Sequence, residues 1–256
     1  MKLPIPIHQI VIDESENRPL GGLNPYNPNY EKIGNAFCKL LIEHANLSSK
    51  SKILDVGCGT GRLANPIIQM LGDGQYFGFD NNAKYIDYCK NRWAKHSDQF
   101  IHADIQHDEY NPTGAVNLMD YKFEYPDCFF DVAASIAVFN HFETKWVFRY
   151  IAEMTRVLKP KGILFATFLI LNNLSMQNLE ASSSKDFDFE YKSPDSWHKL
   201  KNRRLVNVAI PESGLRQQCI KCKLMIKEPI RYGEWCGSPL AITGHDVLIA
   251  IKGQWR

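Results

Sequence analysis

The sequence predicts an α/β fold in one globular unit, and three observations carry that prediction. Short apolar segments alternate with amphipathic ones from about residue 52 to about residue 170. Three glycines crowd the end of the first apolar segment, ILDVGCGTGRL over 53–63, where a strand would turn into a helix. Asp55, Asp80 and Asp104 stand near the carboxyl ends of three successive predicted strands, the edge at which open α/β sheets bind ligands.

The elements follow in order. Residues 30–46 space Ile33, Phe37, Leu40, Leu41 and His44 as a helix ahead of the sheet. KILDVG is a first strand; RLANPIIQML is a helix opening at Gly61, in which Pro66 predicts a kink or early break and GDG at 72–74 a stop. YFGFD (76–80) is a second strand, and NNAKYIDYCKNRWAKH a helix whose inner face would carry Tyr85, Tyr88, Cys89 and Trp93. QFIHAD (99–104) is a third strand. From 105 to 128 periodicity lapses into turn signals, which predicts a long loop. CFFDVAASIAVF opens as a fourth strand, Glu143 to Leu158 is an amphipathic helix, and KPKG turns into the fifth strand, GILFATFLIL. Residues 172–204 are polar and mixed, which predicts an exposed, mobile insert; PESGLRQQCIKC reads as a short helix, and KLMIKEPI with HDVLIAIKG as a closing hairpin.

Composition narrows the function classes. With 256 residues, 45% of them hydrophobic, the chain can bury a sizeable core, and 30 basic against 28 acidic side chains leave no global field to draw in nucleic acid or anionic lipid. The one basic cluster, HKLKNRR at 198–204, reads as a solvated face. No stretch reaches the ~18 apolar residues of a spanning helix, and MKLPIPIHQIVIDESENRP has no cleavable-leader pattern, so the expected location is the cytoplasm and no membrane partner is expected. Seven scattered cysteines do not form a disulfide framework. Cys219-x-x-Cys222 with Cys236 and His245 makes a zinc site only on paper, because the second pair is spread too widely; these are read as core thiols. Asp127, Asp131 and Glu143 show no magnesium-ligand pattern, and no metal is expected.

Gly57, Gly59 and Gly61 form G-x-G-x-G, whereas a dinucleotide fingerprint wants its third glycine at position 62, which holds Arg62. A nicotinamide-dependent oxidoreductase is thereby demoted to a rival. Asp80, 19 residues after Gly61, is placed to accept both hydroxyls of a ribose. Asp104 could accept from an exocyclic amine while Ile105 covers a ring face.

Together D55-V-G-C-G-T-G61, Asp80, Asp104-Ile105, FFDVAASIAVFNH and RVLKPKG resemble the class I S-adenosylmethionine-dependent methyltransferases over about residues 50–170. That resemblance implies a Rossmann-like, seven-stranded, mostly parallel sheet with helices on both faces and its last strand antiparallel. It implies S-adenosylmethionine as methyl donor and S-adenosylhomocysteine as product. The glycines would lie against the methionine part, Asp80 on the ribose and Asp104 near the adenine amine; Asp55, Cys58, Asn81, Ile105 and Ser135 complete the implied donor-binding set. The ending EPIRYGEWCGSPLAITGHDVLIAIKG is similar to that of bacterial small-molecule methyltransferases. The chain is accordingly divided as a single domain over 1–256: a cap at 1–50, the donor-binding core at 51–171, a substrate lid at 172–210 and a sheet-closing hairpin at 211–256.

A sulfonium donor transfers its methyl group by in-line displacement, so positioning dominates and a hydroxyl acceptor needs a base. His141, just past the fourth strand, is the candidate base or acceptor contact; the bland alternative is a helix cap or packing against the donor. Tyr26, Tyr30, Tyr232 and Trp235 are candidate walls of an acceptor pocket. The expectation is O-methylation of a small molecule by a monomer or homodimer, with N-methylation, RNA methylation and a noncatalytic binding protein as rivals.

Overall fold

The computed structural model describes residues 25, 27–107, 110–181, 187–201 and 204–254. The candidate wall Tyr26 and positions 1–24 of the cap lie outside them. A helix α1 (Tyr30–Ala45) precedes β1 (Lys52–Val56), α2 (Ala64–Met70), β2 (Gln75–Asp80), α3 (Ala83–Arg92), β3 (Phe100–His102), β4 (Phe130–Ser135), α4 (Thr144–Val157) and β5 (Leu158–Phe168). The chain continues through β6 (Ile170–Leu171), α5 (Asn173–Ala181), β7 (Tyr191–Lys192), β8 (Trp197–Lys201), β9 (Arg204–Pro211), α6 (Glu212–Lys221), β10 (Leu224–Ile226) and β11 (Asp246–Lys252).

The main sheet has seven strands in the order β10-β11-β5-β4-β1-β2-β3. The strands β1 to β5 run parallel, and the final strand, β11, is antiparallel to both of its neighbours. Period-two alternation sorts their side chains. Leu54, Val56, Ala133 and Leu164 face a core with Ile151 and Met154 of α4, while Ile53, Val132, Phe165 and Ile249 face Leu41, Ile67 and Ile86 of α1, α2 and α3. Both faces are therefore dry, which is why these strands read as largely apolar runs, interrupted by Asp55 in β1 and Asp131 in β4. Each fully buried Leu, Ile or Phe contributes about 1.5–3 kcal/mol.

Two local expectations are corrected. Pro66 neither kinks nor breaks α2, because it falls in the first turn, where its missing N–H would have no partner anyway. The inner face of α3 is carried by Ile86 and Cys89, with Tyr85, Tyr88 and Trp93 only half-buried.

The segment 172–210 is not an element-free insert. It supplies α5 and three of the strands in a second sheet of four, ordered β6-β9-β8-β7. Leu169, Leu171, Phe189, Ala209, Trp235 and Cys236 form the core beneath it. Asp246, the fully buried first residue of β11, ties this layer to the main sheet by accepting from the Ile170 amide at 2.6 Å, the Gly233 amide at 2.6 Å and Trp235 Nε1 at 2.7 Å. Burial pushes its carboxyl up to about 6, against the pull of those donors. Among the described residues no helix is long and apolar enough to cross a membrane.

The long loop 105–128 is pinned rather than free. Its backbone bridges Ile105 to Val116 and His107 to Asn111. From α4, Arg149 donates to the carbonyls of Met119 and Tyr121, and Arg156 to those of Phe123 and Tyr125. Glu153 lies between the two guanidiniums, pairing with Arg149 at 3.0 Å and Arg156 at 2.8 Å, and accepts the Phe123 amide. Arg156→Ala should leave Glu153 half-compensated in a dry site and lower unfolding stability by about 3 kcal/mol in urea titrations; Arg156→Lys should recover little, because an ammonium cannot reproduce the forked contacts.

Candidate active site

After β1 the backbone turns through Gly57 (φ 74°), Gly59 (φ 55°) and Gly61 (φ 78°), all left-handed. A Cβ on Gly57 would meet Val138 Cγ2 at 2.5 Å, and one on Gly61 would meet Trp93 Cζ3 at 2.4 Å, so side chains are excluded at both. The amides of Gly57 and Cys58 donate to the Phe79 carbonyl, which stitches the turn to β2. Asp80 then secures two elements with one carboxylate: Oδ2 accepts from the Gly59 amide at 2.8 Å and Oδ1 from the Asn82 amide at 2.9 Å. Burial pushes its pKa up, opposed by those same bonds and by His102. Each oxygen keeps a lone pair for a ligand.

Beyond β4, Ala137 adopts φ 58° and donates its amide to Thr167 Oγ1 at 2.8 Å. A 3₁₀ turn, Phe139–His141, follows, and Asn140 Nδ2 lies 3.1 Å from His141 Nε2. The glycine turn, the end of β2 and this exit from β4 enclose a cleft of about 260 Å³. Of the predicted site residues, Gly57, Asp80, Asn81, Ile105 and His141 line it together. The sequence reading missed Arg62, Tyr110, Leu118, Phe142 and Tyr150, which also line it. Burial lowers the Arg62 pKa, opposed by nearby Tyr30 and Asp55.

Comparisons with known proteins bear on the family and the fold. Residues 53–162 match the family model described as a methyltransferase domain. These residues form a methyltransferase domain. Malonyl-[acyl-carrier protein] O-methyltransferase of Acetivibrio thermocellus is 28% identical over 142 residues, 54% of this chain and 44% of that protein. The chain spans about half the length of the curated relatives it matches. In fold, a crystal structure of a Pyrococcus horikoshii protein superposes with TM-score 0.64 at 17% identity, covering 95% of this chain and 100% of that one. The 1,6-didemethyltoxoflavin-N1-methyltransferase of Burkholderia thailandensis, solved with its substrate and S-adenosylhomocysteine, superposes with TM-score 0.55 at 12% identity over 99% of this chain and 92% of that one.

Several predicted residues are placed away from the cleft. Asp104 is not among the cleft-lining residues: it is exposed, and its Oδ1 accepts from Asn111 Nδ2 at 3.0 Å, the bond that chiefly holds its pKa below the ordinary range. Ser135 is fully buried and donates to the Val56 carbonyl. Gly59 and Gly61 shape the turn from behind. Tyr30 packs under the turn and donates to the Thr60 carbonyl at 2.8 Å. Tyr232 donates to Glu212 Oε2 at 2.8 Å, and Trp235 sits in the core of the small sheet. None of these three tyrosine and tryptophan candidates walls the cleft; their polar ends are tied to the protein itself.

Asp55 and Cys58 line a second, smaller cavity of about 20 Å³ behind the turn, room for about one water. Asp55 accepts from the Tyr76 hydroxyl at 2.6 Å, yet burial pushes its carboxyl up to about 7. A raised folded-state pKa means that this proton's stabilising contribution is complete below the unfolded value near 3.8 and is lost as pH rises through about 7. Asp55→Asn, which keeps an oxygen for Tyr76, should flatten the fall in unfolding free energy across that window by a few kcal/mol, read from denaturant curves at stepped pH.

Proposed function

We propose that the chain methylates a hydroxyl oxygen of a small molecule, with S-adenosylmethionine as donor and His141 as the base. The observation that carries this reading is that His141 and Asp80 line one cleft. The residues fit the donor: Asp80 offers free lone pairs to ribose hydroxyls, Asn81 adjoins them, and Ile105, Leu118 and Phe142 supply apolar surface for a base. Gly57, which no side chain could replace, lets backbone approach the methionine part. When bound, the donor supplies an electrophilic methyl group on a sulfonium.

The protein's own contribution is alignment and proton removal. Asn140 holds the His141 ring through Nε2, and Tyr110 meets that ring edge-on at 5.9 Å. Because Nδ1 is buried, Nε2 is the nitrogen that can take a hydroxyl proton. An acceptor hydroxyl would reach it by displacing the Asn140 amide as its oxygen attacks the methyl carbon and the methyl–sulfur bond breaks. The oxygen assignment draws support from this base and from the relative whose name includes O-methyltransferase. The segment 172–210 is proposed as the roof over the acceptor, and Asp55 and Cys58 as support from behind the turn.

Asp80→Ala should weaken S-adenosylhomocysteine binding by roughly 1.5–3 kcal/mol in calorimetry, the range for a charge-assisted hydrogen bond. His141→Ala should leave that binding within about threefold while lowering methyl transfer by about a hundredfold, followed with labelled donor across hydroxyl- and amine-bearing acceptors. Turnover of amines alone, or full activity without His141, would contradict the oxygen assignment.

A further inference from the structure

The floor of the cleft carries a polar group that neither the motif nor the comparisons assign. Tyr150, on the second turn of α4, lines the cleft yet is only 2% exposed. Its ring is clamped edge-on by Phe123 and Phe142, each 5.2 Å away, with Phe139 at 6.4 Å. Among the described residues its hydroxyl makes no hydrogen bond; the groups that act on it, Tyr121, Asp80 and Arg149, do so through space. Burial holds the phenol protonated, so it is a hydrogen-bond donor without a recipient. The hydroxyl is not among the buried polar atoms that lack a partner, so it is reachable from the cleft its residue lines.

Its surroundings say which part of a ligand lies over it. Phe79, which leads into the ribose-side Asp80, meets Phe123 edge-on at 4.9 Å as Tyr150 does at 5.2 Å, and with Ile105 and Leu118 it shares both the cleft lining and one apolar cluster with Tyr150. Two groups that would otherwise meet a purine edge there are engaged elsewhere: the Ile105 amide donates to the Ala103 carbonyl at 2.6 Å, and Asp104 accepts from Asn111 outside the cleft. We propose that Tyr150 is a specificity-determining residue for the donor, its hydroxyl donating a hydrogen bond to a ring nitrogen of the adenine. The proposal rests on the cleft being the seat of the adenosyl group. Phe123, Phe139 and Phe142 prevent the ring from turning away, so the hydroxyl selects for an acceptor nitrogen at one position of the bicycle.

The test uses the full chain and calorimetry with S-adenosylhomocysteine and its 1-deaza, 3-deaza and 7-deaza analogues, in which one ring nitrogen at a time becomes C–H. In the wild-type protein one analogue should bind about three- to tenfold more weakly than the parent. Tyr150→Phe should bind the parent weaker by that same factor, and the penalty for that analogue should vanish. Equal parent affinity in Tyr150→Phe, or a deaza penalty that persists in it, would overturn the role of Tyr150. A wild-type protein that binds none of the four would instead overturn the placement of the adenosyl group. The melting temperature of the unliganded variant should not fall, because a hydroxyl without a partner is being removed; a lower value with uniformly weaker binding of all four ligands would mark a packing role and also reject the proposal.

Discussion

The whole site depends on the carboxylate of Asp80. It stands at the last position of β2, and its two oxygens hold the Gly59 amide and the Asn82 amide. The first bond freezes the glycine turn after β1; the second, with Asn82 itself accepting from Lys84 and Tyr85 amides, fixes where α3 begins. A single charged group thereby sets the spacing of two neighbouring βα units before any ligand arrives. Preorganisation of this kind removes the entropy of ordering a loop around a ligand. It also explains why the site can tolerate a carboxylate that burial disfavours: the backbone amides offset part of the desolvation, and the remaining lone pairs face the cleft.

A second theme is the use of buried acids as staples away from the chemistry. Asp246 joins the last strand of the main sheet to the small sheet, Glu153 gathers two arginines that carry the loop 105–128, and Glu212 receives Asn172, Tyr232 and Arg216. Each lies where an irregular segment meets a regular one. Such segments have backbone amides and carbonyls that no ladder satisfies, and a charged side chain saturates them in a way an apolar contact cannot. The cleft wall built by Leu118 is therefore positioned by the helix behind it, since the carbonyl of Met119 is held by Arg149.

Much of the core was legible in the sequence because parallel strands buried on both faces leave a strong trace. The segments around Ile53, Phe79, Val132 and Phe165 are mostly apolar, and Gly57 and Asp80 mark where the first two strands stop. The closing strand β11 was legible because its VLIAI run is apolar throughout. The small sheet was not: β8 alternates Trp197, His198 and Lys199, and β7 has only two residues, so neither offers a window long enough for periodicity to show. Within the site, Gly57, Asp80, Asn81, Ile105 and His141 were legible as strand-end residues. Tyr150 was not, because a tyrosine on the inner face of an amphipathic helix reads as core. Tyr232 and Trp235 misled in the opposite direction: aromatics in a loop suggested a binding wall, whereas Glu212 and Asp246 draw their polar ends inward.

The displacement of Asp104 shows how strand-end position and strand-end function separate. β3 has three residues and pairs only with β2, at the margin of the sheet. Its end is not squeezed between two neighbouring turns as Asp80 is, and the chain leaves it into a loop that bonds back on itself, from the Val116 amide to the Asp104 carbonyl. With solvent on one side and Asn111 beside it, the Asp104 carboxylate keeps both hydration and a local donor, so nothing draws it across into the cleft. Ile105, one residue later and on the opposite side of the extended chain, is the residue that turns inward. At a sheet margin, then, the apolar neighbour of the acid, and not the acid, lines the cleft, together with Tyr150 of α4.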